Sequence, residues 1–425
     1  MRFIYLFSGL ILFLHCGEGD GGETKKKDTI KIGTIVPLSG DLSSFGDGML
    51  KSLILATEDI NKVGGILGKE VEIVKCDDGN SAEGAKNCFD RLVNQGIRFI
   101  VGTASSDALI NGVCGGAENK SCPAVTSKKV LMVSPSATSP LISELNDGGY
   151  IWRTAPSDIF QGKVLAKLVF NSGIRKVSLI YRKDPYGEKL AEAFKKDFEE
   201  KGGTILGYVG YSTDEEKKEF SNEIKELYKS GDPEGIVIIS FEADGVNILG
   251  DLRTYIGQSG KSKPFLFGVD GNKSKQISAI EFSRGMSGTA PKAPSDDPDY
   301  KKFSEVFERR FGSSPDVSIE AVYDAFFIIA LGIEAAGAYD PEKVKDVLVD
   351  LTNSGEEVKP PASGVNWKEV IAKVKSGVDV DYKGVSGKLD FDEKGDVKGG
   401  VYEIWRIETN KGDNEDFKEI GSEKL

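Results

Sequence analysis

From residue 29 onward, strand-like and helix-like segments alternate, and no other feature of the chain restricts its fold as tightly. Residues 29–38 are a β-branched run that reads as a strand. Residues 49–61 then place Leu50, Leu53, Ile54, Thr57 and Ile60 at helical spacing. The alternation continues with a strand over 71–74, a helix over 82–95 (Ala85, Phe89, Leu92 and Val93 inward), a short strand over 99–101, a helix near 107–113 and a strand over 130–133. After Tyr150-Ile151-Trp152 it starts again. Strands are expected over 177–181, 205–211, 236–241 and 265–269, and helices over 160–170, 188–201, 220–228 and 245–256. Units of this length imply parallel sheets with helices on both faces, so the fold class is α/β, two doubly wound lobes.

Size agrees, because 425 residues exceed what one hydrophobic core usually supports. A polar connection over 291–298 leads to two helices, 300–311 and 319–336. The tail differs, with glycine and acidic turn residues over 384–396 and an alternating strand over 401–407. The expected division is 29–151 with 291–380 in one lobe and 152–290 with 381–425 in the other. The chain then crosses between lobes near residues 152, 290 and 380. The formal charge of −12 argues against nucleic acid and anionic lipid surfaces as partners.

The first residues stand apart. Arg2 precedes an apolar run over 3–14, broken by Ser8 and Gly9, which is the size of a secretory signal core and too short to span a bilayer. Cys16 follows, and 17–28 is a glycine-rich, charged stretch. The arrangement resembles a bacterial lipoprotein signal, with residues 1–15 as the signal peptide, Cys16 as the lipidated residue and 16–28 as a tether. Phe13, Leu14 and His15 depart from the usual leucine and small residues before the cysteine, and an ordinary signal, cleaved or retained, is the alternative. Export to the periplasm or cell surface is expected either way. His15 is the only histidine, so a chain cleaved there holds no Ser-His-acid triad, Cys-His pair or histidine-ligated zinc. Four cysteines then remain, and an even number in an oxidising compartment suggests two disulfides. Three connectivities are possible. Close spacing favours Cys76–Cys88 and Cys114–Cys122, whereas a four-cysteine zinc site lacks its short knuckles.

In an open parallel sheet, ligands bind beyond the carboxyl ends of the strands. After residues 99–101 stand Ser105 and Ser106, hydroxyls and amides suited to a carboxylate. After 130–133 come Ser134-Pro135-Ser136-Ala137-Thr138. Tyr186 follows the strand over 177–181, Phe241 closes the strand over 236–241, and Asp270 follows 265–269 as an acid for an ammonium. Together these suit a zwitterionic amino acid. Each also has a plainer reading: Ser105, Ser106 and Thr138 as helix caps, Asp270 as a turn acid before Gly271, and Tyr186 and Phe241 as packing between lobes.

Several landmarks carry a wider resemblance. They are Ile35-Val36-Pro37-Leu38-Ser39-Gly40 with Phe45-Gly46, Asn61 to Ile66 with Gly68-Lys69, Asp77-Asp78, Val133 to Thr138, Tyr186-Gly187-Glu188, Tyr323-Asp324-Ala325, and Gly387 to Gly395. In this order they resemble the type I periplasmic solute-binding proteins of the leucine/isoleucine/valine-binding branch, over about residues 29–407. The resemblance implies a ligand carboxylate held by Ser106 (Ser105 close by) and by Ala137-Thr138. It implies an ammonium held by Asp270, where many relatives carry glutamate, and apolar walls from Phe45, Tyr186 and Phe241. It also implies a non-enzymatic component of an ABC importer, whose partners are a small amino acid and a membrane permease. Its mechanism would be hinge closure, with no cofactor, metal or catalytic residue, and with membrane contact only through a lipid anchor. A sensor of the same fold and a binder of amides or other small polar solutes remain as alternatives.

Overall fold

The computed structural model describes residues 28–116, 120–213, 217–316, 318–412 and 416–425. The signal run, Cys16 and nearly all of the tether lie outside the described residues. Five strands form the first sheet: β1 (Thr29–Val36), β2 (Glu70–Asp77), β3 (Phe99–Val101), β4 (Leu131–Ser134) and β5 (Ile151–Arg153). Their order is β2-β1-β3-β4-β5 and every pair is parallel. The second sheet holds β6 (Lys176–Arg182), β7 (Thr204–Tyr211), β8 (Gly235–Ile239), β9 (Phe265–Gly268) and β10 (Ser287–Pro291). These five are parallel, in the order β10-β9-β8-β6-β7. A small third sheet joins β11 (Glu356–Val358), β12 (Val380–Gly384) and β13 (Gly387–Lys388). Finally β14 (Val401–Ile407) and β15 (Phe417–Lys424) extend the second sheet, both antiparallel.

The burial pattern explains why the central strands read as continuous apolar runs. On β8, Val237 and Ile239 face one core while Ile236 and Ile238 face the other. A strand covered on both faces needs no polar alternation. The helix Ile319–Ala336 is apolar nearly all round because the first core encloses it.

One expected boundary moves. The first core takes in Tyr382, Val385, Leu389, Phe391 and Val397, so the third crossing falls between Val397 and β14 rather than near residue 380. Two anchors explain the shift. Asp324, buried within the helix Ile319–Ala336, accepts hydrogen bonds from the Tyr382 hydroxyl at 3.0 Å, the Val385 and Ser386 amides at 3.0 and 2.7 Å, and the Ser386 hydroxyl. Gly384 makes this approach possible, since a Cβ there would stand 2.2 Å from the carboxylate. Further on, buried Arg153 pairs with Asp396 at 2.6 Å, and its amide donates to Gly395 O at 2.9 Å. The other two crossings follow β5 and β10.

Two smaller differences concern local form. The helix expected near 107–113 is present in the wider, π-type form (Ala108–Val113), and Gly112 lies directly against Ala82. β15 carries exposed lysines and glutamates on an edge strand, a polar run with no hydrophobic alternation to reveal it. Cys76 joins Cys88 and Cys114 joins Cys122, with Cα separations of 5.6 and 4.3 Å.

Candidate ligand-binding cleft

The segments that follow β3 and β4 meet those that follow β5 and β6, and through Tyr186 those that follow β8 and β9. On the first lobe's side the wall is built from hydroxyls and backbone. The Ser134 hydroxyl donates to Thr103 O at 2.7 Å and accepts from the Ala137 amide at 3.0 Å, while Ser136 donates to Ala104 O at 2.7 Å. The Ser106 hydroxyl accepts from the Ser139 amide at 3.0 Å. Beneath them the Arg153 guanidinium donates to Ser139 O at 2.9 Å and to Ser143 Oγ at 2.9 Å. Two loops of unrelated sequence are thereby laced into one surface. Ser105 has the plainer role, its hydroxyl accepting from the Ala108 amide at 3.3 Å as a cap does.

The second lobe's side is aromatic and charged. Asp184 caps the helix Pro185–Glu200 by accepting from the Gly187 amide at 2.8 Å, which sets Tyr186 in its first turn. The Tyr186 and Phe241 rings stack with centroids 5.2 Å apart and planes 15° off parallel. The Tyr186 hydroxyl donates to Asp270 Oδ1 at 2.7 Å, and Gln161 Nε2 donates to the same oxygen at 2.9 Å. Asn272 folds the Asp270 turn onto β8, accepting from the Val269 amide at 3.0 Å and donating to the Ser240 hydroxyl at 2.7 Å.

The two sides touch. Thr138 donates to Asp158 Oδ2 at 2.8 Å, the Asp158 amide donates to Thr138 O at 2.9 Å, and the Ser139 hydroxyl donates to Pro185 O at 2.7 Å. Asp158 opens the helix Asp158–Asn171 and is wholly buried. Burial first, and then the nearby Asp270 charge, hold its carboxyl well above the usual carboxylate range. Burial raises Asp270 as well, against the hydrogen bonds from Tyr186 and Gln161 that lower it. Around this pair, Asp158 Oδ1, Gln161 Oε1, Ser157 Oγ and Thr289 Oγ1 are buried with no hydrogen-bond partner. Two acids with raised pKa values beside orphaned oxygens, at the meeting of the lobes, mark a candidate binding site.

Residues 29–393 match the family model described as periplasmic binding protein. The chain belongs to the periplasmic binding protein family. It is 29% identical over 383 residues to the leucine-, isoleucine-, valine-, threonine- and alanine-binding protein of Pseudomonas aeruginosa, which covers 89% of this chain and 90% of the relative. The fold is shared with a leucine-binding protein from Thermotoga maritima, with a TM-score of 0.73 at 23% identity over 92% of this chain and 98% of that one. It is shared too with a branched-chain amino acid transporter substrate-binding protein from Streptococcus pneumoniae in complex with isoleucine, with a TM-score of 0.72 at 22% identity over 94% and 99%.

Within this periplasmic binding protein, Tyr186, Phe241 and Asp270 form one group on the second lobe, while Ser106 holds the Ser139 amide, Ala137 donates its amide to Ser134 and Thr138 reaches Asp158. Phe45 is half-buried on the helix Ser43–Lys62 and packs against the first core instead of joining the ring stack. Sequence reasoning missed Asp158 and Gln161. Their signal was present, a Ser157-Asp158 helix start directly after the first crossing, yet it reads like any other cap.

Proposed function

We propose that this protein is the extracytoplasmic binding component of an ABC importer and takes a zwitterionic amino acid with an apolar, branched-chain-like side chain. The observation that carries this reading is the Asp158–Asp270 pair, with the Tyr186 hydroxyl on Asp270, set opposite the hydroxyl and amide surface of Ser106, Ala137 and Thr138. The ligand carboxylate meets the first lobe, where hydroxyls and amides stabilise an anion. Its ammonium meets the second lobe, where it relieves the repulsion between two buried carboxylates. Asp158 adds a second acceptor, which supplements the short Asp270 side chain. The Tyr186–Phe241 stack supplies an apolar wall. The names of the relatives support the amino-acid class.

Hinge closure about the three crossings brings the lobes together over the ligand. Binding rather than catalysis is the role: the acids are placed to pair with a cation, and His15 is the only imidazole in the chain. Export, with lipid attachment at Cys16, follows from the leader-like start and accords with the two disulfides. Mass measurement of the exported chain checks it, the expected product beginning at an acylated Cys16.

The binding test is a thermal-shift and calorimetric screen against the amino acids. A ligand at about 100 times its Kd adds ~2.7 kcal/mol of stability, a readily visible shift. Leucine, isoleucine or valine is expected to stabilise the protein. Stabilisation by an amide or sugar and by no amino acid overturns the ligand class.

A further inference from the structure

Arg182 is the last residue of β6 and is buried, outside the groups assigned to the ligand's carboxylate and ammonium. Its own lobe holds it from three directions. Nε donates to Asp184 Oδ2 at 2.8 Å, Nη1 donates to Asp244, and the guanidinium carbon stands 4.0 Å from the centre of the Phe241 ring. Asp244 is steadied by the Tyr211 hydroxyl at 3.0 Å. Since Phe241 stacks on Tyr186, one guanidinium and two rings form a continuous pile that ends at the Tyr186 hydroxyl on Asp270.

From the first lobe, Asp41 reaches the same guanidinium, with Nη1 to Oδ2 at 3.1 Å. Asp41 belongs to the turn between β1 and the helix Ser43–Lys62. Asp77 holds that turn by accepting from the Leu38 and Ser39 amides at 2.9 and 3.2 Å and from the Ser39 hydroxyl at 2.9 Å. The neighbouring Leu42 packs against the second lobe's core. A second ion pair between the lobes, Lys275 with Asp316 at 3.8 Å, has both side chains 51% exposed, so water screens it. The Arg182 side chain is 5% exposed. Because Asp184, Asp244 and Phe241 already fix the guanidinium, closure has to order little besides Asp41, and the entropy cost of forming the pair is small.

We propose that the Asp41–Leu42 turn is the clasp of the cleft and Arg182 its catch, a positioning residue that both receives the opposite lobe and supports the Phe241–Tyr186 wall. The inference rests on the closing mechanism proposed above. Opening the lobes separates Asp41 from Arg182 while leaving Arg182 with its own carboxylates, so the clasp acts on release more than on capture.

The test uses Asp41→Asn, a partly exposed position whose change leaves the second lobe's charge cluster intact, with L-leucine as the probe in stopped-flow fluorescence. The dissociation rate is expected to rise by about three- to tenfold, with the association rate within about twofold of the parent. Raising salt from about 0.1 M to about 1 M is expected to speed release from the parent and to leave the variant little changed. Asp41→Lys is expected to release faster still. Arg182→Lys is expected to keep the salt dependence while altering the near-ultraviolet circular dichroism of the stacked rings, because an ammonium has no plane to lay on Phe241. Small-angle scattering of the ligand-free protein gives a separate readout, with a larger radius of gyration expected for Asp41→Asn than for the parent. Equal release rates and equal radii overturn the clasp. Failure of leucine to bind the parent overturns the amino-acid reading, and the scattering comparison then decides the clasp alone.

Discussion

The two faces of the cleft are built from different chemistry. The first lobe offers neutral groups, Ser106, Ala137 and Thr138, held by short backbone and hydroxyl hydrogen bonds over a buried Arg153. The second lobe offers Asp158, Asp270, Tyr186, Phe241 and Arg182, charged or aromatic and placed on helix starts and strand ends. A neutral face can be finished before the ligand arrives. A face with two buried acids is left electrostatically unsatisfied, so on the proposed reading the second lobe is where affinity and its pH dependence are set.

The sharpest way to break this contrast is to remove the acid. Asp270→Ala is expected to weaken binding of the amino acid by roughly 100-fold or more, as truncation of one partner of a buried charge pair does, measured by titration calorimetry. A loss smaller than that of Ser106→Ala reverses the assignment of the two faces. Next comes pH. Asp158 and Asp270 both have raised pKa values, and an ammonium favours their charged forms. Acidification through those pKa values protonates them and opposes binding. Affinity is expected to fall by up to about tenfold per pH unit for each of the two acids on the acid side and to level off on the alkaline side. In Ser106→Ala the same profile is expected at lower affinity, whereas Asp158→Asn flattens it.

A buried acid outside the site sharpens the comparison from the other direction. Glu320, on the helix Ile319–Ala336, is raised by burial from 4.5 to about 8, and its Oε2 has no partner. Its folded-state pKa lies above its unfolded value, so the folded state binds the extra proton and stability declines as pH rises between those values. Glu320→Gln is expected to melt progressively higher than the parent across that interval, with its ligand affinity following the parent's pH profile. The smallest effect belongs to the neutral face. Ser106→Ala is expected to lose about 1 kcal/mol of binding free energy, several-fold in Kd, the usual scale of one hydrogen bond. A loss as large as that for Asp270→Ala removes the contrast between the lobes.

Much of the candidate site is proposed from the primary structure because a parallel sheet sends its strand ends to one edge, and Ser106, Thr138, Tyr186 and Asp270 all follow apolar runs that read as strands. Phe45 was legible only as part of a motif, and its packing on the first core depends on how the helix Ser43–Lys62 is rotated. Asp158 and Arg182 were hidden for another reason. Each looks like an ordinary helix start or strand end until the opposite lobe supplies Thr138 or Asp41. The third crossing moved from near residue 380 to beyond Val397 because Asp324 and Arg153 reach contacts 62 and 243 residues away.

By itself the sequence determined the two-lobed α/β alternation, the strands buried on both faces and the cysteine spacings that suit two short loops. Those features rest on periodicity and short separations, which are local properties of a chain. Tertiary structure alone decided which side chains face one another between the lobes, where the last crossing falls and which acids lose their water. These depend on the rigid-body placement of whole sheets, and no local pattern encodes a contact between residues brought together only by that placement.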